Sequence, residues 1–175
     1  MWSMHTAISA IGLLSDRGYG KQLHLTVVGN GHPAYERELH RMVEMHDLQR
    51  MVTLTGRVPP TRMPAVFAQH DVLLFPSIYR EPLARTMQEA MLSGLLVVGT
   101  TTGGSGEMLV DGATGLTFPA GDVQQLTSQL TRVTREPELV PTLAQRGQTA
   151  MLAHFTLDRF TDDIDAYLAE VVGRA

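Results

Sequence analysis

The 175-residue sequence predicts an α/β fold: a doubly wound, Rossmann-like parallel sheet in a single domain with additional C-terminal helices. Three observations predict it. Short apolar runs alternate with stretches of helical spacing, the order expected of βαβ units. Two runs, residues 71–75 after Asp71 and residues 95–99 throughout, are continuously apolar, as in strands covered on both faces. Glycine and proline clusters at 29–31, 56–60, 76–82 and 102–106 fall at the strand ends, and in such folds ligands bind beyond the carboxyl ends of the strands.

Taken in order, residues 4–14 place Met4, Ala7, Ile8, Ile11 and Leu14 at helical intervals, and Gly18 and Gly20 stop that helix. No strand pattern precedes it. Residues 23–28 form a strand with Leu23, Leu25 and Val27 alternating, closing into Gly29-Asn30-Gly31. Pro33 suits the first turn of a helix over 35–46 whose Leu39, Met42 and Val43 point inward. Residues 51–55 are a second strand, rich in β-branched side chains, broken by Gly56 and Pro59-Pro60. A short helix at 65–69 leads to the third strand at 71–75, which Pro76 ends. A helix at 84–92, a strand at 95–99, a short helix opened by Gly103-Gly104 and a last strand at 115–118 follow. Asp122 is a good N-cap for a helix over 123–134. Two more helices cover 139–154 and 157–172, the second with Phe160, Ile164, Tyr167, Leu168 and Val171 on one side. Right-handed crossovers gather the five strands into one parallel sheet, and the domain spans 1–175.

Composition excludes several functions. Fourteen Lys and Arg against eighteen Asp and Glu give a net charge of −4, and no polybasic stretch exists, which argues against nucleic acid as a partner. The absence of cysteine removes disulfides and thiolate chemistry. No apolar run is long enough to span a bilayer and no secretory pattern opens the chain, so the expected location is cytoplasmic. Gly29-Asn30-Gly31 lacks the third glycine of a dinucleotide fingerprint, since position 34 is alanine; no Gly-Lys-Ser/Thr P-loop and no Gly-x-Ser-x-Gly elbow occurs. His32, Glu36, His40 and Glu44 lie four apart on one helical stripe, which reads as a solvated face rather than a metal site. No metal is expected.

The densest chemistry lies between residues 76 and 91. Glu81 and Glu89 are two carboxylates eight positions apart, and Pro82 at a first helical position puts Glu81 at a helix start. Such a start offers unpaired N–H groups and a partial positive charge, here the amides of Leu83, Ala84 and Arg85, ready for a phosphate. Glu89, two turns on and flanked by Met87, Ala90 and Met91, suits a pair of vicinal hydroxyls if it is partly buried. Read alone, Glu81 serves equally well as a helix cap and Glu89 as a surface charge. Gly103 and Gly104, within Thr101-Thr102-Gly103-Gly104-Ser105-Gly106-Glu107, permit close backbone approach to a phosphate or sugar hydroxyl, or simply turn a strand into a helix.

These residues carry a resemblance. Glu81 and Glu89 in a Glu-x7-Glu frame, running into Ala90-Met91 and Ser93-Gly94, resemble the signature of the retaining glycosyltransferases of family four, also called group 1, which have two Rossmann domains. Val27-Val28-Gly29-Asn30-Gly31, the strand 52–58 ending in Gly56-Arg57-Val58, the Asp71 to Ser77 strand, Gly103-Gly104-Ser105-Gly106-Glu107 and Asp111-Gly112-Ala113-Thr114-Gly115-Leu116 resemble further family motifs in the same order, over roughly 5–170. The resemblance implies the nucleotide-sugar donor domain of an enzyme of polysaccharide or glycoconjugate biosynthesis. Glu81 then faces the donor sugar as the catalytic carboxylate, and Glu89 holds the ribose. Pro82, Leu83, Ala84 and Arg85, with Gly103 and Gly104, cradle phosphate and sugar oxygens, while Gly29, Arg57 and Val58 line the nucleotide. It also implies that residues 1–175 are the C-terminal domain without its first strand, an acceptor-binding N-terminal domain outside this chain as partner, a C-terminal helix that packs on that domain and otherwise drives self-association, and peripheral membrane association of the full-length enzyme only. Other readings keep the fold: a non-catalytic nucleotide- or sugar-binding module, a nucleotide-sugar epimerase, or a glucan synthase.

The sequence departs from the family pattern in three places. Ala84 stands where glycine is frequent, and Leu96 where proline is usual. The Arg and Lys that clamp the diphosphate in the family are either missing or upstream of Met1: Trp2-Ser3 falls near where a Lys-Gly pair is expected, and Arg17 and Lys21 come too late in the first helix and its loop.

Overall fold

A computed structural model describes residues 3–173. Trp2, one of the two positions in the expected clamp region, lies outside them. The chain forms a three-layer α/β arrangement in which helices cover both faces of parallel strands. In order these are α1 Met4–Asp16, β1 Leu25–Val28, α2 Pro33–Met45, β2 Val52–Gly56, a 3-10 turn Pro60–Arg62 running into α3 Met63–Phe67, β3 Val72–Phe75, α4 Arg85–Leu92, β4 Leu96–Gly99, α5 Ser105–Met108, β5 Leu116–Thr117, α6 Val123–Arg135, α7 Leu139–His154 and α8 Leu157–Gly173. The expected elements are all present.

The strand ladders differ from expectation in one respect. β1 pairs in parallel with β2, and β4 pairs in parallel with both β3 and β5, but among the described residues β1 and β3 do not pair with each other. The single five-stranded sheet is therefore split into a two-stranded and a three-stranded ladder. Periodicity reports which faces of a strand are buried, not which edge meets which partner.

The packing follows the sequence pattern. β4 is buried along its whole length, as its uninterrupted apolar run requires. One core gathers Ile8, Ile11 and Leu14 of α1, Leu39 and Val43 of α2, Leu96 and Val98 of β4, and Leu126 and Leu130 of α6. A second, on the other face, packs Phe75, Met87, Met91, Met108 and Met151. The Asp122 side chain accepts a 2.9 Å hydrogen bond from the Gln125 N–H, capping α6. His32 and Glu36 do similar work at α2. The His32 ring nitrogen Nδ1 accepts from Ala34 N–H, and Glu36 Oε1 accepts from Gly31 N–H at 2.7 Å. Two members of the acidic and histidine stripe are thus engaged in fixing a helix start.

Helix α8 stands apart from these cores. None of its residues is buried, and Phe160, Ile164, Tyr167, Leu168 and Val171 are exposed. No described helix is long and apolar enough to cross a membrane.

Candidate functional site

The strands run the same way, so their carboxyl ends share one rim. Four segments converge there: the turn after β1 at Gly29, the Arg57-Val58 stretch after β2, the 76–84 loop after β3 and the 100–104 loop after β4. The last two are joined backbone to backbone. Glu81 and Gly103 form a parallel bridge, and Gly104 N–H donates to the Glu81 carbonyl at 2.8 Å. This junction needs glycines. Gly103 has φ +65°, and a Cβ there would strike the Glu81 carbonyl; one on Gly104 would strike the Pro82 carbonyl.

Side chains brace the same junction. Ser77, buried at the end of β3, donates from Oγ to Glu81 Oε1 at 3.0 Å and accepts from Tyr79 N–H at 3.3 Å. The Thr100 hydroxyl donates to the Ser77 carbonyl at 2.6 Å, with Thr102 reaching the same oxygen at 3.4 Å. The Glu81 carboxylate is therefore half-buried and aimed by a donor that is itself held in place. Of these three bracing hydroxyls, sequence reasoning gave none a role. A buried Ser or Thr directly after an apolar strand is the available signal, because such a hydroxyl must find a partner.

Helix α4 starts later than Pro82 suggests. Its first residue is Arg85, with Ala84 as N-cap in extended conformation. The Glu81–Gly103 bridge holds the preceding residues out of the helix, which overrides the preference of proline for a first helical position. Glu81 therefore does not cap the helix. Met87 and Gln88 N–H both bond the Ala84 carbonyl. Among the described residues no protein acceptor takes the N–H groups of Leu83, Ala84, Arg85 or Thr86. An open helix N-terminus thus faces the rim, next to Glu81 in sequence.

The expected site is refined at three further points. Glu89 is more exposed than its apolar neighbours in sequence suggest: its side chain is 46% exposed and forms a 3.5 Å ion pair with Arg85, itself 87% exposed. One turn of helix separates the two, so Arg85 reaches Glu89 across the surface. Ala84, which stands where glycine is frequent in the family, is buried in the same core as Phe75 and Met87. The N–H of Gly104 is not available to a ligand, being held by Glu81, and the N–H of Gly29 is held by the Gly56 carbonyl at 2.8 Å.

A cavity of about 680 Å³ opens at the rim. Gly29, Arg57, Val58, Thr86 and Glu89 line its mouth, bringing together residues from the ends of β1, β2 and α4. Below them it continues between β1 and β3, lined by apolar side chains such as Leu25, Val27 and Leu74. Glu81, Gly103 and Gly104 belong to the adjoining loop pair and do not line it. Arg17 follows α1 at the far end from the rim, where it borders a shallow depression with Arg132 and Arg135. A 13-residue helix is about 20 Å long, so Arg17 cannot serve the rim. No cluster of three or more His, Asp or Glu side chains that could hold a metal occurs among the described residues.

Comparison with known proteins places this architecture. The 2-deoxystreptamine glucosyltransferase of Streptomyces kanamyceticus is 31% identical over 168 residues, covering 96% of this chain and 42% of its own. In the crystal structure of Anabaena Alr3699/HepE in complex with UDP, a 24% identical region superposes with a TM-score of 0.84, covering 96% of this chain and 45% of that one. The C-terminal domain of a group 1 family glycosyl transferase, LpcC of Francisella tularensis, superposes at 0.76 with 20% identity, covering 88% of this chain and 80% of that one. The chain spans less than half the length of the curated relatives it matches, from 33% to 44% for three of them. The family model described as glycosyl transferases group 1 matches residues 2–136. With the parallel α/β fold and the sequence match covering most of the chain, this protein belongs to the group 1 glycosyltransferases.

Proposed function

We propose that this chain is the donor-binding half of a retaining glycosyltransferase, which moves a sugar from a nucleoside diphosphate to an acceptor hydroxyl. The observation that carries the reading is the open N-terminus of α4 beside the braced carboxylate of Glu81. Free amides and the helix dipole suit a diphosphate. A fixed carboxylate one loop away suits a sugar whose anomeric carbon gains positive charge as the bond to the diphosphate lengthens. Support also comes from the superposable Anabaena protein, which was crystallised in complex with UDP.

In this reading the sugar C1–O bond to the diphosphate breaks while a C1–O bond to the acceptor forms on the same face, and the acceptor hydroxyl proton passes to the departing diphosphate oxygen. Leu83, Ala84 and Arg85 present their amides to the diphosphate as its negative charge grows. Glu81 faces the sugar. Glu89 binds the ribose hydroxyls at the cavity mouth, where Arg57, Val58 and Gly29 meet the base. Pro82 shapes the loop, and Gly103 and Gly104 set the position of Glu81 and Pro82. The leaving group is stabilised without a metal. The acceptor belongs to an N-terminal domain, so the 175 residues by themselves bind donor and do not turn over.

Titration calorimetry with uridine, guanosine and adenosine diphosphates tests this. One of the three is expected to bind with EDTA present, and Glu89→Ala to weaken it about tenfold, the loss of one charge-assisted contact. If none binds and Glu89→Ala changes nothing, the assignment is wrong. Robust sugar transfer by the isolated chain would overturn the division of labour. A binding module without turnover is favoured by one observation only, the placement of Arg17 away from the rim.

A further inference from the structure

The carboxyl ends of α1 and α6 meet on the side of the molecule opposite the rim. Arg17, one residue past α1, and Arg135, the last residue of α6, line one shallow depression of about 430 Å³. Every side chain lining it is polar. Arg17, Arg132 and Arg135 set three guanidinium groups against one carboxylate, Glu136. The local charge is thus +2 on a chain whose net charge is −4. Walls of this kind offer an apolar partner no surface to bury and favour a multiply charged anion.

The pattern of α6 builds one wall. Leu126, Leu130 and Val133 enter the core, while Gln124, Ser128, Thr131, Arg132 and Arg135 follow one another at i, i+4, i+7, i+8 and i+11, a single stripe on the other side of the helix. All five side chains carry hydrogen-bond donors. The Thr131 hydroxyl donates to the Thr127 carbonyl at 2.8 Å. Among the described residues, the side chains of Gln124, Ser128 and Arg17 have no protein partner.

Arg135 is fixed from a second element. Its Nε donates to the Tyr19 hydroxyl at 2.8 Å, a bond between positions 116 apart in sequence. Tyr19 packs half-buried against the core, and its own N–H donates to the Leu14 carbonyl at 3.0 Å. The terminal nitrogens of Arg135 keep no protein acceptor among the described residues. Arg132 pairs with Glu136 through Nε at 3.4 Å, which leaves its terminal nitrogens open in the same way. Helix dipoles do not account for three arginines here. A helix C-terminus carries about half a negative charge, so two of them offset about one unit of the local +2. Arg132 and Arg135, three apart on one helix, repel each other until an anion lies between them.

We propose that this depression is a phosphate-binding site. The guanidinium groups of Arg17, Arg132 and Arg135 hold the phosphate oxygens, each fork matching a pair of them, and Ser128 and Gln124 add neutral donors from the α6 wall. The same chemistry takes a free phosphate ester or the headgroup of an anionic lipid. Helix α6 has 13 residues and is about 20 Å long, so a phosphate at its carboxyl end lies a helix length from the rim. It does not overlap the diphosphate of the proposed function, and the inference stands without that reading.

Amide NMR on the isotope-labelled chain tests it, with inorganic phosphate as the probe and ionic strength held constant with chloride. Saturable shifts are expected at the Gly18, Ser128 and Thr131 amides. Arg17→Gln is expected to weaken binding about tenfold with Tm unchanged, because the Arg17 side chain has no partner to lose. Lys21→Gln removes the same charge from outside the depression and is expected to change affinity less than about twofold. Sedimentation with phosphatidylcholine vesicles, with and without phosphatidic acid, separates the two sources. Capture by the acidic vesicles that Arg17→Gln abolishes identifies a lipid headgroup; phosphate shifts without capture identify a free phosphate ester. The proposal is overturned if phosphate causes no shifts, if shifts are confined to the Ala84 and Arg85 amides at the rim, if chloride alone reproduces them, or if Arg17→Gln and Lys21→Gln act equally.

Discussion

The Ser77 hydroxyl hydrogen-bonds the Glu81 carboxylate at 3.0 Å across a loop of three intervening residues, and the Ser77 carbonyl is held in turn by Thr100. The carboxylate nearest the proposed reaction centre is thus positioned from the strand end below it. Ser77→Ala removes that donor and leaves the Thr100 contact to the carbonyl. In the full-length enzyme kcat is expected to fall about tenfold or more, while the Kd for nucleoside diphosphate stays within about twofold. Stability is expected to drop by about 1 kcal/mol in urea denaturation. An unchanged kcat would show that Ser77 does not position Glu81.

Gly104 has no room for a side chain against the Pro82 carbonyl. Gly104→Ala is expected to force the two loops apart, to cost about 2–3 kcal/mol measured by denaturant midpoint, and to abolish diphosphate binding. Gly112→Ala makes a useful control: its φ is positive, unlike that of Gly104, but its Cβ position is open, so only a backbone cost of about 1 kcal/mol is expected there.

Glu89 offers the reverse case. Its pair with Arg85 is exposed and i to i+4, so it contributes little to folding. Glu89→Gln is expected to shift stability by less than about 0.5 kcal/mol. Loss of nucleotide affinity without loss of stability, read by calorimetry and denaturation on the same sample, separates a binding role from a structural one.

The apolar side of α8 yields a prediction about association. Phe160 and Tyr167 are each 63% exposed and seven residues apart, two turns along one face. Sedimentation velocity at rising concentration is expected to show self-association. Phe160→Glu combined with Tyr167→Glu is expected to abolish it without lowering Tm, because neither side chain is buried in the monomer. A wild-type chain that stays monomeric throughout counts against this.

Local structure was legible from residue pattern because it rests on local physics. Asp122 capped its helix as its side chain allows, and the apolar run at 95–99 became a fully buried strand. What the pattern did not reveal depended on contacts between distant segments. Pro82 advertised a helix start, but the pairing of Glu81 with Gly103 delayed the helix to Arg85. Glu89 sat among apolar neighbours in sequence yet faces solvent, since positions adjacent in a helix point in different directions. Gly103 and Gly104 looked like ligand-facing turns and are instead packed against another loop. The split between β1 and β3 was not legible in either strand, because their residues report which faces are buried and not which edges are paired.

The junction of Glu81 with Gly103 and Gly104 also bears on how such a site can change its preferences. The frame is made of main-chain groups and glycines, which hold the loop whatever side chains it carries outward. Ile78, Tyr79, Arg80 and Leu83 are all exposed on it. Exchanging those four alters the chemical surface presented at the rim while the acid and the helix start stay at their fixed separation. Selectivity and geometry are written in different parts of the polymer, and a library restricted to these four positions explores the first without disturbing the second.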